Sequence, residues 1–203
     1  MGTYWFELAI GPISDLEEAA ERLYSRCGDG QLSGDEQGGT VMFSREARNA
    51  TEAILSAIDD CERGGLSVTG AMEDLVTIDD IAEKTGRSAP AVGHWTTGER
   101  GPGGFPAPAI QHGIRVKLYS WAEVSRWLAD AGLGRIDSVA AEVAAAAADV
   151  DALLRARQVL RDAPSGKREV LAKLVEAQPR PTRDGGLGGG VGECGCAGGW
   201  GGG

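Results

Sequence analysis

The sequence predicts an α+β fold, and three observations carry that prediction. Over residues 1–75, short apolar strands alternate with two amphipathic helices in the order β-α-β-β-α-β. Over residues 76–131, two capped helices flank a glycine, and a loop, a short strand and a third helix follow. From residue 138 onward the strand signals stop, leaving an alanine-rich helical stretch and a glycine-rich end.

The first segment opens with Tyr4–Ile10, aromatic and aliphatic residues closed by Gly11-Pro12, which predicts a strand running into a turn. Ser14 with Glu17 has the spacing of a capping box. Leu16, Ala19, Ala20, Leu23 and Cys27 then recur at helical spacing. Residues 28–39, rich in Gly, Asp and Ser, predict a hairpin that delivers the chain to a short strand at Thr40–Phe43. Asn49 with Glu52 opens a second helix whose face is Ile54, Ala57, Ile58 and Cys61, and Gly64-Gly65 closes it. Leu66, Val68 and Met72 supply a last strand. That order is the split βαβ, ferredoxin-like arrangement, which hosts many functions and identifies none.

The second segment, 76–131, predicts a winged helix-turn-helix. Thr77 caps a first helix with Asp80 three residues on, and Ile78, Ile81 and Ala82 form its apolar face. Gly86 supplies the positive φ of a sharp inter-helix turn. Ser88 caps the second helix, Pro90 sits in its first turn, and Val92 and Trp95 form its buried side. Gly98–Pro108 is a rigid, glycine-punctuated loop. Ile114–Tyr119 alternates apolar and basic residues like a half-buried wing strand, and Ser120 with Glu123 forms a further capping box. Trp95 and Trp127 read as core; Trp121 lies beside the apolar stripe.

The string Gly104, Phe105, Pro106, Pro108, Tyr119, Glu123, Val124, Trp127 and Leu128 resembles the AlpA-like and prophage excisionase regulators, which are related to the MerR type. The resemblance covers residues 77–129, about a quarter of the chain. It implies a small winged domain that binds double-stranded DNA to control transcription or recombination. The acidic N-terminal domain and the C-terminal helices fall outside that minimal unit. The chain departs from the family on the second helix, where Ala-Pro-Ala-Val-Gly stands in place of polar or basic residues.

In such a module the second helix enters the major groove and the wing meets the backbone. The predicted DNA-binding residues are Lys84, Arg87, Ser88, His94, Thr96, Thr97, Arg100, His112, Arg115 and Lys117. The cations are assigned to phosphates, because the second helix offers none of the Arg, Lys, Asn or Gln that read base edges in pairs.

The net charge of −10 is uneven. Residues 1–76 hold five Lys/Arg against fifteen Asp/Glu, whereas residues 77–128 hold six against five. A near-neutral module permits DNA binding without arguing for it, and the acidic first segment reads as a partner-binding or sensory domain. Residues 138–178 place Val139, Val143, Ala146, Val150 and Leu153 along a seam that Arg157 interrupts. This is either a dimerisation arm for a homodimer or a helical hairpin packed on its own domain. Residues 179–203 predict a disordered tail: from Gly185 on, glycine fills twelve of nineteen positions, and Cys194 and Cys196 stand without further ligands.

The sequence shows no apolar run of membrane length, no secretion signal and no disulfide framework, so the expected location is cytoplasmic. It shows no metal site, no cofactor motif and no catalytic constellation, so the expectation is a regulator and not an enzyme. A second expectation stands beside it, a protein–protein adaptor whose degenerate winged helix no longer reads DNA.

Overall fold

Alternation decides the first strand of the computed structural model, which describes residues 1–112, 116–134 and 136–176. Along β1 (Gly2–Ile10), Tyr4, Phe6, Leu8 and Ile10 are buried while Thr3 and Trp5 face outward, the period of two that pleating imposes. The hairpin expected at 28–39 forms β2 (Gly30–Asp35) and β3 (Gly38–Ala47). β3 pairs antiparallel with the whole of β1, and β4 (Val68–Ala71) pairs with the other side of β1. The resulting four-stranded sheet has the order β2-β3-β1-β4.

Two helices supply the remaining core. α1 (Leu16–Tyr24) contributes Ala19 and Leu23, and α2 (Ala50–Arg63) contributes Ala53, Ile54, Ala57 and Cys61. Asn49 caps α2 by accepting from the Glu52 amide, as its spacing predicts. The cap of α1 is Asp15 and not Ser14; its carboxylate accepts from the Glu18 amide and adds negative charge at the positive end of the helix.

One charge sits inside this core. Arg45 is buried, with its guanidinium bound to Asp29 (2.7 Å), Asp60 (2.9 Å) and Ser56 Oγ (3.0 Å), and over the Phe43 ring. Hydrogen bonding from Arg45 holds the Asp29 carboxyl below its ordinary range.

β5 (Leu75–Val76), β6 (Ile110–His112) and β7 (Val116–Ser120) form a second antiparallel sheet in the order β5-β7-β6. Around it lie α3 (Ile78–Thr85), α4 (Ala89–Thr97) and α5 (Trp121–Asp130). Their core contains Val76, Ile81, Val92, Trp95, Tyr119, Trp121, Val124 and Leu128. Trp121, doubtful by its spacing, is fully buried.

α6 (Ser138–Asp162) departs most from expectation. Its buried stripe is Ala144, Ala146, Ala147, Val150, Asp151 and Leu154, while the seam residues Val139 and Leu153 are exposed. The stripe is used within the chain. Ala146, Ala147, Val150 and Leu154 join the first core, and Ala144 joins the second. Polar groups fix the contact. Asp151 accepts from the Ala71 amide and Arg157 donates to the Val68 carbonyl, so two groups of β4, an edge strand, are capped by side chains. Glu142 accepts from the Ala50 amide in the first turn of α2 (2.8 Å). Arg157, which interrupts the coiled-coil seam, also pairs with Glu62. Of the expected seam, Ala146 and Val150 are therefore packed within the chain, while Val139 and Leu153 stay open.

Residues Met1–Pro164 form one compact unit and Ser165 onward a second. Within the second, α7 (Ser165–Glu176) has no buried residue. The expected disordered tail and the Cys194–Cys196 pair lie outside the described residues. No helix among the described residues is long and apolar enough to cross a membrane.

Candidate nucleic-acid interface

The turn between α3 and α4 forms as its residues dictate. The Thr77 hydroxyl accepts from the Asp80 amide and the Asp80 carboxylate accepts from the Thr77 amide, closing a capping box. The Thr77 amide, and after it the Thr77 hydroxyl, donate to the Asp80 carboxylate and lower its pKa. α3 ends at Gly86, whose φ of 65° is the left-handed conformation that a side chain resists. The chain then turns through Arg87 and Ser88 into α4.

Ser88 occupies the N-cap position but makes no side-chain cap bond, contrary to expectation. Pro90 has no amide to offer, and the Ala91 amide already bonds the Ser88 carbonyl at 2.9 Å. Ser120 likewise fails to cap α5, and its buried hydroxyl has no partner among the described residues. The first amide of α5, that of Trp121, donates to the Asp74 carbonyl (2.8 Å).

The loop from Gly98 to Pro108 is held by aromatic contacts. Phe105 meets Tyr119 and Trp127 edge-on at 5.5 and 4.9 Å, and Trp127 lies 5.6 Å from Trp95. Trp127 Nε1 donates to the Gly103 carbonyl at 2.9 Å. Gly101 has a φ of 104°, and a Cβ there would stand 2.8 Å from Trp95 Cδ1. One aromatic cluster thus ties α4, the loop, β7 and α5 together.

Of the predicted contacts, Ser88 is exposed and makes no cap bond, and the other nine separate into three groups. Arg87 in the turn, Arg100 after α4 and Lys117 on β7 are exposed, and among the described residues none has an ion-pair partner. A second group is already engaged. Lys84 pairs with Asp74 at 3.3 Å and lies 5.1 Å over the Trp121 ring. His94 Nδ1 sits 2.7 Å from Glu99 Oε2, and the hydroxyls of Thr96 and Thr97 donate back to the Gly93 carbonyl. The third group is only partly described. His112 belongs to β6, where its backbone pairs with Val116, but its side chain and all of Arg115 lie outside the described residues.

The β6–β7 hairpin stands where the wing was expected. Val116 and Ile110 are about half exposed (49% and 46%), and Leu118 is half-buried. Ile110 pairs with Leu118 and His112 with Val116, so the apolar side chains share one hairpin face that the module leaves largely open. Two features escaped the sequence reading. Glu99 places a carboxylate beside α4, a pairing hidden until the helix is known to end at Gly98. Arg126 is exposed on α5 beside Pro106 and Ala107, in a hollow that Glu123 and Asp130 also line.

No protein-family model, no curated protein and no solved structure matches this chain.

Proposed function

We propose that residues 75–130 are a winged helix-turn-helix that binds duplex DNA, and that residues 1–71 are a ferredoxin-like domain attached to it. The observation that carries this reading is the sharp α3–α4 turn closed by Gly86, with unpaired Arg87 beside it. Arg100 and Lys117 supply further unpaired cations at the end of α4 and on the β6–β7 hairpin. The strand order β2-β3-β1-β4, with helices after β1 and β3, supports the ferredoxin-like assignment. Together these features favour a regulator of transcription or recombination in which phosphates supply the affinity. α4 exposes mainly Ala, Pro, Gly and Thr, so base readout is weak and DNA shape or a partner sets the target.

Lys84 is committed to Asp74, leaving Arg87, Arg100, Lys117 and, by sequence, Arg115. About four phosphate contacts imply a log–log salt slope of about −3 to −4. Fluorescence anisotropy with a duplex taken from beside the chain's own gene measures that slope. Arg87→Glu/Lys117→Glu should weaken binding about tenfold or more, with the melting temperature unchanged. A flat salt response, or a double variant that binds like the parent, refutes the phosphate-contact reading.

A second reading rests on the exposed Ile110 and Val116. An apolar patch on the wing suits protein contact better than phosphate contact. If the parent binds no duplex at all, the module is an adaptor that uses this face.

A further inference from the structure

One groove is not used by the DNA-binding reading. It encloses about 520 Å³ and is lined by Trp5 and Glu7 of β1, Met42 of β3, Met72 and Glu73 after β4, and Val139 of α6. Its large apolar side chains are unusually open: Trp5 is 65% exposed, Met42 47% and Met72 48%. A patch of this kind, gathered in one concavity of ligand size, marks a binding surface more often than chance exposure does.

Charge narrows the occupant. Among the described residues no lysine or arginine lines the groove. Asp74 also lines it but holds Lys84, and Asp137 is occupied in capping α6. Glu7 and Glu73 remain, half-buried and without an ion-pair partner among the described residues. A second copy docking face to face would set these carboxylates against their own equivalents, which disfavours self-association. A cation with an apolar body meets every feature. The Trp5 indole attracts positive charge to its face, the two thioethers adapt to an aromatic outline, and the carboxylates gain the counter-charge they lack.

We propose that this groove binds a small organic cation with an aromatic body. The groove adjoins Asp74, whose carboxylate holds Lys84 of α3 and whose carbonyl takes the first amide of α5. Control of DNA binding from the groove rests on the reading above; binding of the cation does not.

The test is calorimetric titration of the full chain, without DNA, using tetraphenylphosphonium and, as an anion of the same shape, tetraphenylborate. The expected result is saturable one-to-one binding of the phosphonium, with the borate weaker by about tenfold or more. Trp5→Ala and Glu7→Gln/Glu73→Gln should each weaken the phosphonium by about tenfold, with melting curves unchanged because these side chains are not in the core. Three outcomes overturn the proposal: no saturation up to about 1 mM phosphonium, equal affinity for both ions, or folded variants that bind like the parent.

Discussion

Replacing Asp151 with alanine tests whether α6 is a structural strut. Asp151 is buried, accepts from the Ala71 amide at 3.2 Å, and takes a second bond from Arg155. Truncation removes a charge-assisted hydrogen bond worth about 1.5–3 kcal/mol net and leaves the Ala71 amide, on a buried residue, without its acceptor. Arg155 is largely exposed, so its released guanidinium returns to water at little cost. The sum is a loss of about 2–4 kcal/mol. At about 2–4 °C per kcal/mol for a unit of this size, the melting temperature should fall by roughly 4–16 °C. Asp151→Asn keeps an oxygen for the Ala71 amide and should lose about half as much. Urea denaturation followed by circular dichroism gives both values. If Asp151→Ala lies within about 0.5 kcal/mol of the parent, the edge of β4 does not depend on this carboxylate, and the account of α6 fails.

Three further outcomes are expected. Arg45→Met strands Asp29 and Asp60 and should destabilise by about 3 kcal/mol by urea titration. Because the folded Asp29 pKa is below its ordinary 3.8, its contribution is complete above about pH 4 and lost as pH falls through the folded value; Arg45→Met should flatten that part of the acid-stability profile. Gly101→Ala forces a side chain into positive φ and against Trp95, and should cost about 1–3 kcal/mol, visible as a shifted near-ultraviolet tryptophan signal. Burial pushes the Cys61 thiol up to about 12, so iodoacetamide at pH 8 should alkylate the half-buried Cys27 well before Cys61, read by peptide mass mapping.

Local signals were legible in the sequence and long-range ones were not. Thr77 with Asp80, Asn49 with Glu52, and Gly86 each act within a few residues, where spacing alone decides the hydrogen bonds. Ser88 and Ser120 carry the same N-cap signal and make no cap bond; at Ser88 the second helical position is Pro90, which has no amide to donate. The buried stripe of α6 shares only Ala146 and Val150 with the seam that spacing predicts, for a related reason. Ala144, Ala147 and Asp151 look featureless along a helix until β4, α2 and α5 are known to lie against them. Among the site residues, the exposure of Arg87 and Arg100 followed from their place at helix ends, whereas the capture of Lys84 by Asp74 and Trp121 depends on tertiary structure.

The placement of α6 also changes how the acidic segment can act. Its residues belong to both cores, so a fragment beginning at residue 76 would keep Ala144 packed but uncover Ala146, Ala147, Val150 and Leu154. Loss of DNA binding by such a fragment would report damage to α6 and could not be assigned to the acidic surface. Neutralising exposed carboxylates on α1, such as Glu17 and Glu21, separates the two effects, since neither residue contributes to the core. Each substitution removes one negative charge from a segment of net −10, which should speed encounter with a duplex most at low salt. The same geometry indicates where a signal would travel. Asp74 bonds α3 through its carboxylate and α5 through its carbonyl, and α6 packs on α5 at one end of its stripe and on the first sheet along the rest. A ligand that repositions residues 72–74 would therefore act on α3 and α5 without touching α4.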